Sequence, residues 1–284
     1  MKIMKKIVLW VMGVIFLTSC DIIEKPYIIN EGETTVQVEF PTLDPTSVYR
    51  KILFEEYTGH RCTNCPAGHE RLHTLLTTYG DTLVPVGIHA GSLAATSEEY
   101  PYDFNTPIGT QLFTDFNIPS VPLAIVNRIK YIPSSWGSPM SQWQNHINLV
   151  DRTKIYAGIQ LINEFDVSTR TLTANAKVTI LDDISDPVQL CMVIIEDNII
   201  APQLNNGVRI AEYNHNHVLR GSLNGNYGTR LTLNGLVTKD QSYEKAYKIT
   251  FNDKDWNEDA CFVVAYLINM ETKEILQAEY IEVK

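Results

Sequence analysis

The chain has 284 residues, of which 44% are hydrophobic, an ordinary composition for a globular protein. Its 23 lysines and arginines against 33 aspartates and glutamates give a formal net charge of −10. We therefore expect no nucleic-acid partner, because an acidic surface repels the phosphate backbone, and the length favours two domains.

The first twenty residues have the pattern of an export signal. Three lysines precede an apolar run over residues 7–17, which is too short for an ordinary membrane-spanning helix. The run ends in LTSC, which resembles a bacterial lipobox. We predict a signal peptide over residues 1–19, lipid on Cys20, and a polar tether over residues 20–33. A signal peptide cut elsewhere is the alternative.

Residues 34–152 alternate predicted strands with predicted helices. TTVQVEF alternates like a strand, and RKILFEEYTG, LVPVGIHAG and LAIVN are typical of further strands. Pro66 suits the first turn of a helix, where a missing N–H costs nothing, and Gly80 is placed to end it. The later stretches IGTQLFTDF and SPMSQWQNHINLVD have helical spacing. This order predicts an α/β domain with helices on the faces of a sheet.

Beyond Asp151 the helical periodicity disappears. About seven strand-like runs follow, separated by clusters of turn residues. They predict an all-β domain over residues 153–284, an antiparallel sandwich of immunoglobulin-like type. Cys191 and Cys261 lie within two of its apolar runs, so we expect buried free thiols, with a sheet-to-sheet disulfide as the alternative.

Two further cysteines stand at the predicted junction between a strand and the first helix. Cys62 would lie at the helix N-terminus, where backbone N–H groups, Arg61 and, as a second candidate, His60 favour a thiolate. Cys65 lies one turn further and would be protected. An exposed first cysteine and a protected second one are what thiol–disulfide exchange needs. The pair alone leaves open a redox site, a structural disulfide or half of a metal site.

The stretch ILFEEYTGHRCTNCP and the later segment SVPL resemble the thioredoxin family, which implies a thioredoxin-like fold for the α/β domain. The resemblance implies a cis peptide bond before Pro122, whose backbone would pack beside Cys62 and shape a substrate groove. It also implies that a buried acid, here Glu56, relays protons to and from Cys65. The family usually has Asp at that position, and Glu55 is the alternative inward-facing acid.

A narrower resemblance covers nearly the whole mature chain. The lipobox, EEYTGHRCTNCPAGH and EYNHNHVLRGSLNGNYG together resemble the Omp28-related outer-membrane lipoproteins of Gram-negative bacteria, which join a thioredoxin-like domain to a β-domain. The resemblance implies anchoring in the outer membrane through lipid on Cys20. Asp21 resembles an inner-membrane retention signal in some bacteria, which is the less favoured alternative.

Together these features predict a lipid-anchored oxidoreductase, without a cofactor, that acts on thiols or disulfides of exported envelope proteins. Cys62 would attack, Cys65 would resolve the mixed disulfide, Glu56 would relay the proton, and Pro122 would shape the groove. The direction of electron flow stays open. The alternative is a non-catalytic surface lipoprotein that binds protein or glycan and keeps a redox-inert thioredoxin-like domain.

Two pairs of histidines are candidate metal ligands. His69 and His73 follow the cysteines with C-x2-C-x3-H-x3-H spacing, and histidines four residues apart on a helix can bind zinc. His215 and His217 alternate on a predicted strand and could face one side. The first spacing lacks the long loop of a zinc finger and the second pair lacks a third ligand nearby, so we expect structural histidines and no metal.

Overall fold

The computed structural model describes residues 32–232 and 236–284. The predicted signal peptide, the lipid site at Cys20 and nearly all of the predicted tether lie outside these residues. The chain is mostly β-sheet, with 17% helix and 41% strand. None of the described helices is long and apolar enough to cross a membrane.

Three helices and fourteen strands are present in the described residues. The helices are α1 (Cys65–Tyr79), α2 (Pro107–Asp115) and α3 (Trp143–Leu149). The strands are β1 (Glu33–Thr34), β2 (Ile52–Thr58), β3 (Leu83–His89), β4 (Leu123–Val126), β5 (Ala157–Asp166), β6 (Thr171–Ile180), β7 (Val188–Glu196), β8 (Ile199–Asn205), β9 (Val208–His215), β10 (Val218–Ser222), β11 (Thr229–Arg230), β12 (Ser242–Thr250), β13 (Cys261–Asn269) and β14 (Ile275–Glu282).

Helix α1 begins and ends where the sequence predicts. Pro66 occupies its first turn, and Gly80 follows its last residue. The Gly80 N–H donates to the Leu76 carbonyl oxygen, and its φ of 56° lies in the left-handed region that favours glycine. Leu72 and Leu75 are buried against the sheet. The helix therefore holds its N-terminal turn, with the cysteines, at the end of β2.

The prediction of a strand over residues 34–40 is largely wrong. Only Glu33 and Thr34 pair, and they pair with β12 of the C-terminal half. The predicted alternation appears in the burial of residues 34–40, whose side chains are in turn half-buried and exposed. The segment thus packs as the pattern indicated, but beyond Thr34 its backbone has no ladder partner among the described residues.

One eight-stranded sheet takes strands from both halves of the chain. Its order is β14-β13-β7-β10-β3-β2-β4, with β11 paired to β7. Strands β2 and β3 are parallel, β4 is antiparallel to β2, and β10 is parallel to β3 and antiparallel to β7. The predicted boundary between residues 152 and 153 falls between α3 and β5 and stays a prediction, but the sheet itself is continuous across the two halves.

The helices cover both faces of the N-terminal part of this sheet. Ile52 and Phe54 of β2 pack with α1 and α3, whereas Leu53 and Tyr57 pack with α2 on the opposite face. This alternation follows from the strand period of two. It decides which face each of the neighbouring acids Glu55 and Glu56 takes, and so which of them lies beneath α1.

The C-terminal part of the chain is a β-sandwich. A four-stranded sheet of order β1-β12-β6-β5 packs on β7 and β13, with Leu190 and Met192 in the core between them. Cys261 lies in that core, but Cys191 faces the α2 side. Both thiols are buried and free, as predicted, and burial raises the pKa of Cys191 to about 11.

Strands β8 and β9 form a separate hairpin that the sequence analysis missed. The strand-like run that forms β9 was predicted to belong to the sandwich, but β9 pairs with β8. The hairpin turn is Asn206-Gly207, and both residues have positive φ. Asn-Gly is the strongest local hairpin signal, because it tolerates such φ values. The turn was therefore readable from the sequence, although the place where the hairpin docks was not.

Candidate functional site

The two cysteines of the CTNC motif form a disulfide. Cys62 lies in the loop after β2, Cys65 is the first residue of α1, and their Cα atoms are 5.4 Å apart. Cys62 is 3% exposed and Cys65 is 0% exposed. The prediction of an exposed first cysteine is therefore wrong, because both residues are buried and Cys62 is only slightly the more accessible. In this disulfide state neither sulfur is a thiolate that could bind a metal.

Pro122 lies at the same helix end. The Val121–Pro122 peptide is cis, as the sequence predicts. The Cys62 Sγ atom lies 3.6 Å from the Val121 carbonyl oxygen. The peptide segment before β4 therefore borders the Cys62 sulfur.

Gly68 of α1 lies close to the buried acid and to the cis-proline segment. The sequence analysis did not name this glycine as a site residue. A Cβ atom at this position would lie 2.7 Å from Glu56 Oε1, 3.2 Å from Pro122 Cβ and 3.3 Å from the Trp143 ring. A side chain here would force Glu56, Pro122 and Trp143 to shift, so glycine allows the close approach. A glycine inside a helical pattern was the available signal.

Glu56, and not Glu55, lies beneath α1. Glu56 is 2% exposed, its Oε1 atom has no hydrogen-bond partner among the described residues, and burial raises its pKa to about 8. Glu55 points to the opposite face, where its two oxygens accept hydrogen bonds of 2.7 and 2.9 Å from Arg128. Glu56 is therefore an uncharged acid at neutral pH, whereas Glu55 belongs to a buried ion pair.

Arg61 and His60, the two loop residues before Cys62, differ in exposure and in charge. The Arg61 side chain is partly exposed and donates a 3.4 Å hydrogen bond to the Ala95 carbonyl oxygen. His60 is buried, and its ring hydrogen-bonds the same oxygen and stacks on Tyr100. Burial lowers the pKa of His60, so it is not a cation at neutral pH. The second candidate for thiolate stabilisation is thus wrong, and Arg61 is the charge next to Cys62.

The two histidine pairs converge on one recess beside Glu56. His69 and His73 of α1, His89 of β3, and His215 and His217 line a cavity of about 70 Å³, so five of the seven histidines of the chain meet there. In residues 32–232 and 236–284, no three His, Cys, Asp or Glu side chains are arranged to hold a metal ion. The two pairs lie far apart in the sequence, and no local pattern indicated that they line one recess.

Burial holds three imidazoles of this recess uncharged, those of His69, His89 and His215. Burial lowers the pKa of His69 to about 4 and that of His215 to about 3, and neighbouring histidines add to the shift of His215. The His69 ring nitrogens lie 2.9 Å from Thr58 Oγ1 and 2.8 Å from the Tyr213 hydroxyl. The buried histidines therefore form a neutral polar environment beside the neutral Glu56.

The β8–β9 hairpin docks on the cysteine loop. Gln203 is fully buried, and its Nε2 donates a 3.0 Å hydrogen bond to the Cys62 carbonyl oxygen. The Leu204 and Asn206 backbone N–H groups donate to the carbonyl oxygens of His60 and Thr63, at 2.8 and 3.0 Å. The C-terminal half of the chain therefore takes part in the site and fixes the loop that carries Cys62.

Comparison with known proteins identifies the family. No curated protein matches the chain. HBP35 of Porphyromonas gingivalis shares the fold, with a TM-score of 0.65 at 20% identity over 84% of this chain and 76% of that one. A domain of the outer membrane lipoprotein Omp28 from Porphyromonas gingivalis has a TM-score of 0.32 at 17% identity, over 46% of this chain and 89% of that one. The family model for outer membrane protein Omp28 matches residues 110–284, well over half of the chain. This chain therefore belongs to the Omp28 family of outer membrane proteins.

Proposed function

We propose that the chain is a thiol–disulfide oxidoreductase of the outer membrane, and that residues 34–152 form its thioredoxin-like unit. The observation that carries the proposal is the Cys62–Cys65 disulfide at the N-terminus of α1, with a buried, neutral Glu56 beneath the same helix. The parallel pair β2 and β3, the antiparallel β4 and the helices on both faces support a thioredoxin-like arrangement. The lipid anchor at Cys20 is part of the same proposal.

The chemistry starts from the reduced pair. The Cys62 thiolate attacks a substrate disulfide, a Cys62–substrate bond forms, and the substrate S–S bond breaks to release one substrate thiolate. Glu56 first releases its own proton to solvent, its carboxylate then takes the Cys65 proton, and the Cys65 thiolate attacks the Cys62 sulfur, which releases the second substrate thiolate. The enzyme pair ends oxidised and the substrate reduced, and the reverse sequence oxidises a substrate dithiol. A pKa of about 8 suits Glu56 for this transfer near neutral pH.

The proposed substrates are thiols or disulfides of exported envelope proteins. The Val121 carbonyl oxygen, 3.6 Å from Cys62 Sγ, lies where a substrate backbone beside the mixed disulfide could pair with it. The groove role of Pro122 belongs to the same proposal.

Trapping of mixed disulfides tests this function. Cys65→Ala removes the resolving thiol, so we expect covalent adducts between Cys62 and envelope proteins that disappear on reduction. Cys191→Ala is the matched control, because that thiol is buried and unbonded and its loss leaves the pair intact. Absence of adducts with Cys65→Ala, together with absence of insulin reduction and of oxidative refolding by the unmodified protein, would rule the function out.

A redox-inert disulfide on a binding protein is the second candidate, and the docking of the hairpin favours it. Cys62 is only 3% exposed, and hydrogen bonds from Gln203 and the hairpin backbone hold its loop. In this alternative the disulfide stabilises the loop, and exposed apolar side chains of the hairpin, such as Val208, contact a protein or glycan partner. The same trapping experiment separates the candidates, because an inert disulfide yields no adducts.

A further inference from the structure

His69 lies between the buried acid and the protein surface. Its Nε2 atom is 3.9 Å from Glu56 Oε1 and 2.9 Å from Thr58 Oγ1, and its Nδ1 atom is 2.8 Å from the Tyr213 hydroxyl. Thr58 comes from β2 and Tyr213 from β9. Because two strands from different halves of the chain hold the ring, its two nitrogens have fixed positions: Nε2 contacts Thr58 with Glu56 farther away, and Nδ1 contacts Tyr213.

The recess provides a path from Glu56 to solvent. Glu56 and His215 are buried within it, whereas His73 and Asn214 are exposed at its mouth. A polar cavity of about 70 Å³ has room for water, which needs about 10–15 Å³ on the same kind of measure. A single water molecule can bridge the 3.9 Å between Glu56 Oε1 and His69 Nε2, a distance too long for a direct hydrogen bond.

Several titratable groups from different elements face Glu56 across the recess. They are His69 and His73 from α1, His89 from β3, Tyr213 and His215 from β9, and His217 after β9. Burial lowers the pKa of His69 to about 4 and raises that of Tyr213 to about 12. A proton that arrives at His69 is therefore passed on rather than kept.

We propose that His69, held by Tyr213, is the positioning residue through which Glu56 exchanges its proton with solvent. The Thr58 hydroxyl turns away from His69 Nε2, the Glu56 proton passes through one water to the freed Nε2 lone pair, the proton on His69 Nδ1 passes to the Tyr213 oxygen, and the Tyr213 hydroxyl proton leaves to solvent. His69 and Tyr213 each receive one proton and lose one, so the net change is one proton moved from Glu56 to solvent. The inference rests on the proposed function, because the reaction of Cys65 is what loads and unloads Glu56.

Tyr213→Phe and His69→Gln test the path. Tyr213→Phe removes only the hydroxyl, and His69→Gln keeps a polar side chain that cannot pass a proton between two ring nitrogens. We expect resolution of the mixed disulfide to slow by about 10- to 100-fold in each variant, within the range of general acid–base effects, and its solvent deuterium isotope effect to grow. Thr78→Ala is the control on the same helix, because Thr78 is exposed and does not line the recess, and its rate should stay unchanged.

The measurement is single-turnover reaction of the reduced full chain with a disulfide-bonded peptide, in H2O and in D2O, with thermal melting to confirm that each variant is folded. Equal rates and isotope effects in the unmodified protein, Tyr213→Phe and His69→Gln would overturn the relay and leave the proposed function standing. An unmodified protein without any exchange would overturn both. If His69→Gln is unfolded, Tyr213→Phe alone decides.

Discussion

At the scale of single residues, two neighbouring glutamates have opposite roles because they alternate along one strand. The sequence allowed either Glu55 or Glu56 to face α1, and nothing local distinguished them. The distinguishing partner is Arg128, which lies far away in sequence and pairs with Glu55. Strand alternation could thus be predicted, but the ion pair that leaves Glu56 alone beneath α1 could not, since it depends on tertiary contacts.

Replacement of Glu56 by Gln should change how stability depends on pH. The folded-state pKa of about 8 lies above the usual value of about 4.3 for an exposed Glu, so the folded chain binds the proton more tightly than the unfolded chain. Between these values the unfolded state holds fewer protons, and the free energy of unfolding therefore falls as pH rises. We expect Glu56→Gln to be more stable than the unmodified protein at pH 9, by on the order of 1–4 kcal/mol, and to gain little at pH 5.

Denaturant unfolding of both proteins at the two pH values measures this difference. Glu282→Gln is the control, because Glu282 is exposed and its replacement should have the same small effect at both pH values. A Glu56→Gln effect that does not change with pH would show that Glu56 does not carry a raised pKa.

At the scale of elements, local signals predicted the site well and pairing partners poorly. Pro66 and Gly80 marked the ends of α1, and the strand-like runs matched β2, β3 and β4. The sequence did not reveal that β8 and β9 leave the sandwich to dock on the cysteine loop, nor that β10 pairs with β3. The second pairing joins Val218 to Gly87, far apart in the chain, and such long-range choices are not encoded in local periodicity.

Gln203→Ala tests whether the hairpin shields the disulfide. Loss of the buried amide removes the hydrogen bond to the Cys62 carbonyl oxygen and should loosen the hairpin from the loop. A net loss of about 1 kcal/mol from one hydrogen bond corresponds to several-fold more frequent opening. We expect reduction of the Cys62–Cys65 bond by dithiothreitol to accelerate by about that factor, measured by quenched alkylation of the released thiols. The matched control is Gln111→Ala on the surface of α2, and equal rates for the two variants would contradict a shielding role.

At the scale of the whole molecule, the two halves of the chain share one sheet and one site. The N-terminal half supplies the cysteines and Glu56, and the C-terminal half supplies Gln203, Tyr213 and His215. The resemblance stated from the sequence correctly predicted the Omp28 family and the outer membrane. The contribution of the C-terminal half could not be predicted, because it depends on how β8, β9 and β10 fold back on β3 and α1.

The reduction potential of the Cys62–Cys65 pair tests the central claim most directly. It is measured by equilibrating the full chain with glutathione buffers and counting the alkylated thiols, with Cys62→Ala/Cys65→Ala as the blank. An exchanging pair should have a potential between about −120 and −270 mV, the range of thiol–disulfide oxidoreductases. A potential below about −300 mV, typical of structural disulfides, would contradict the redox function and favour the inert disulfide.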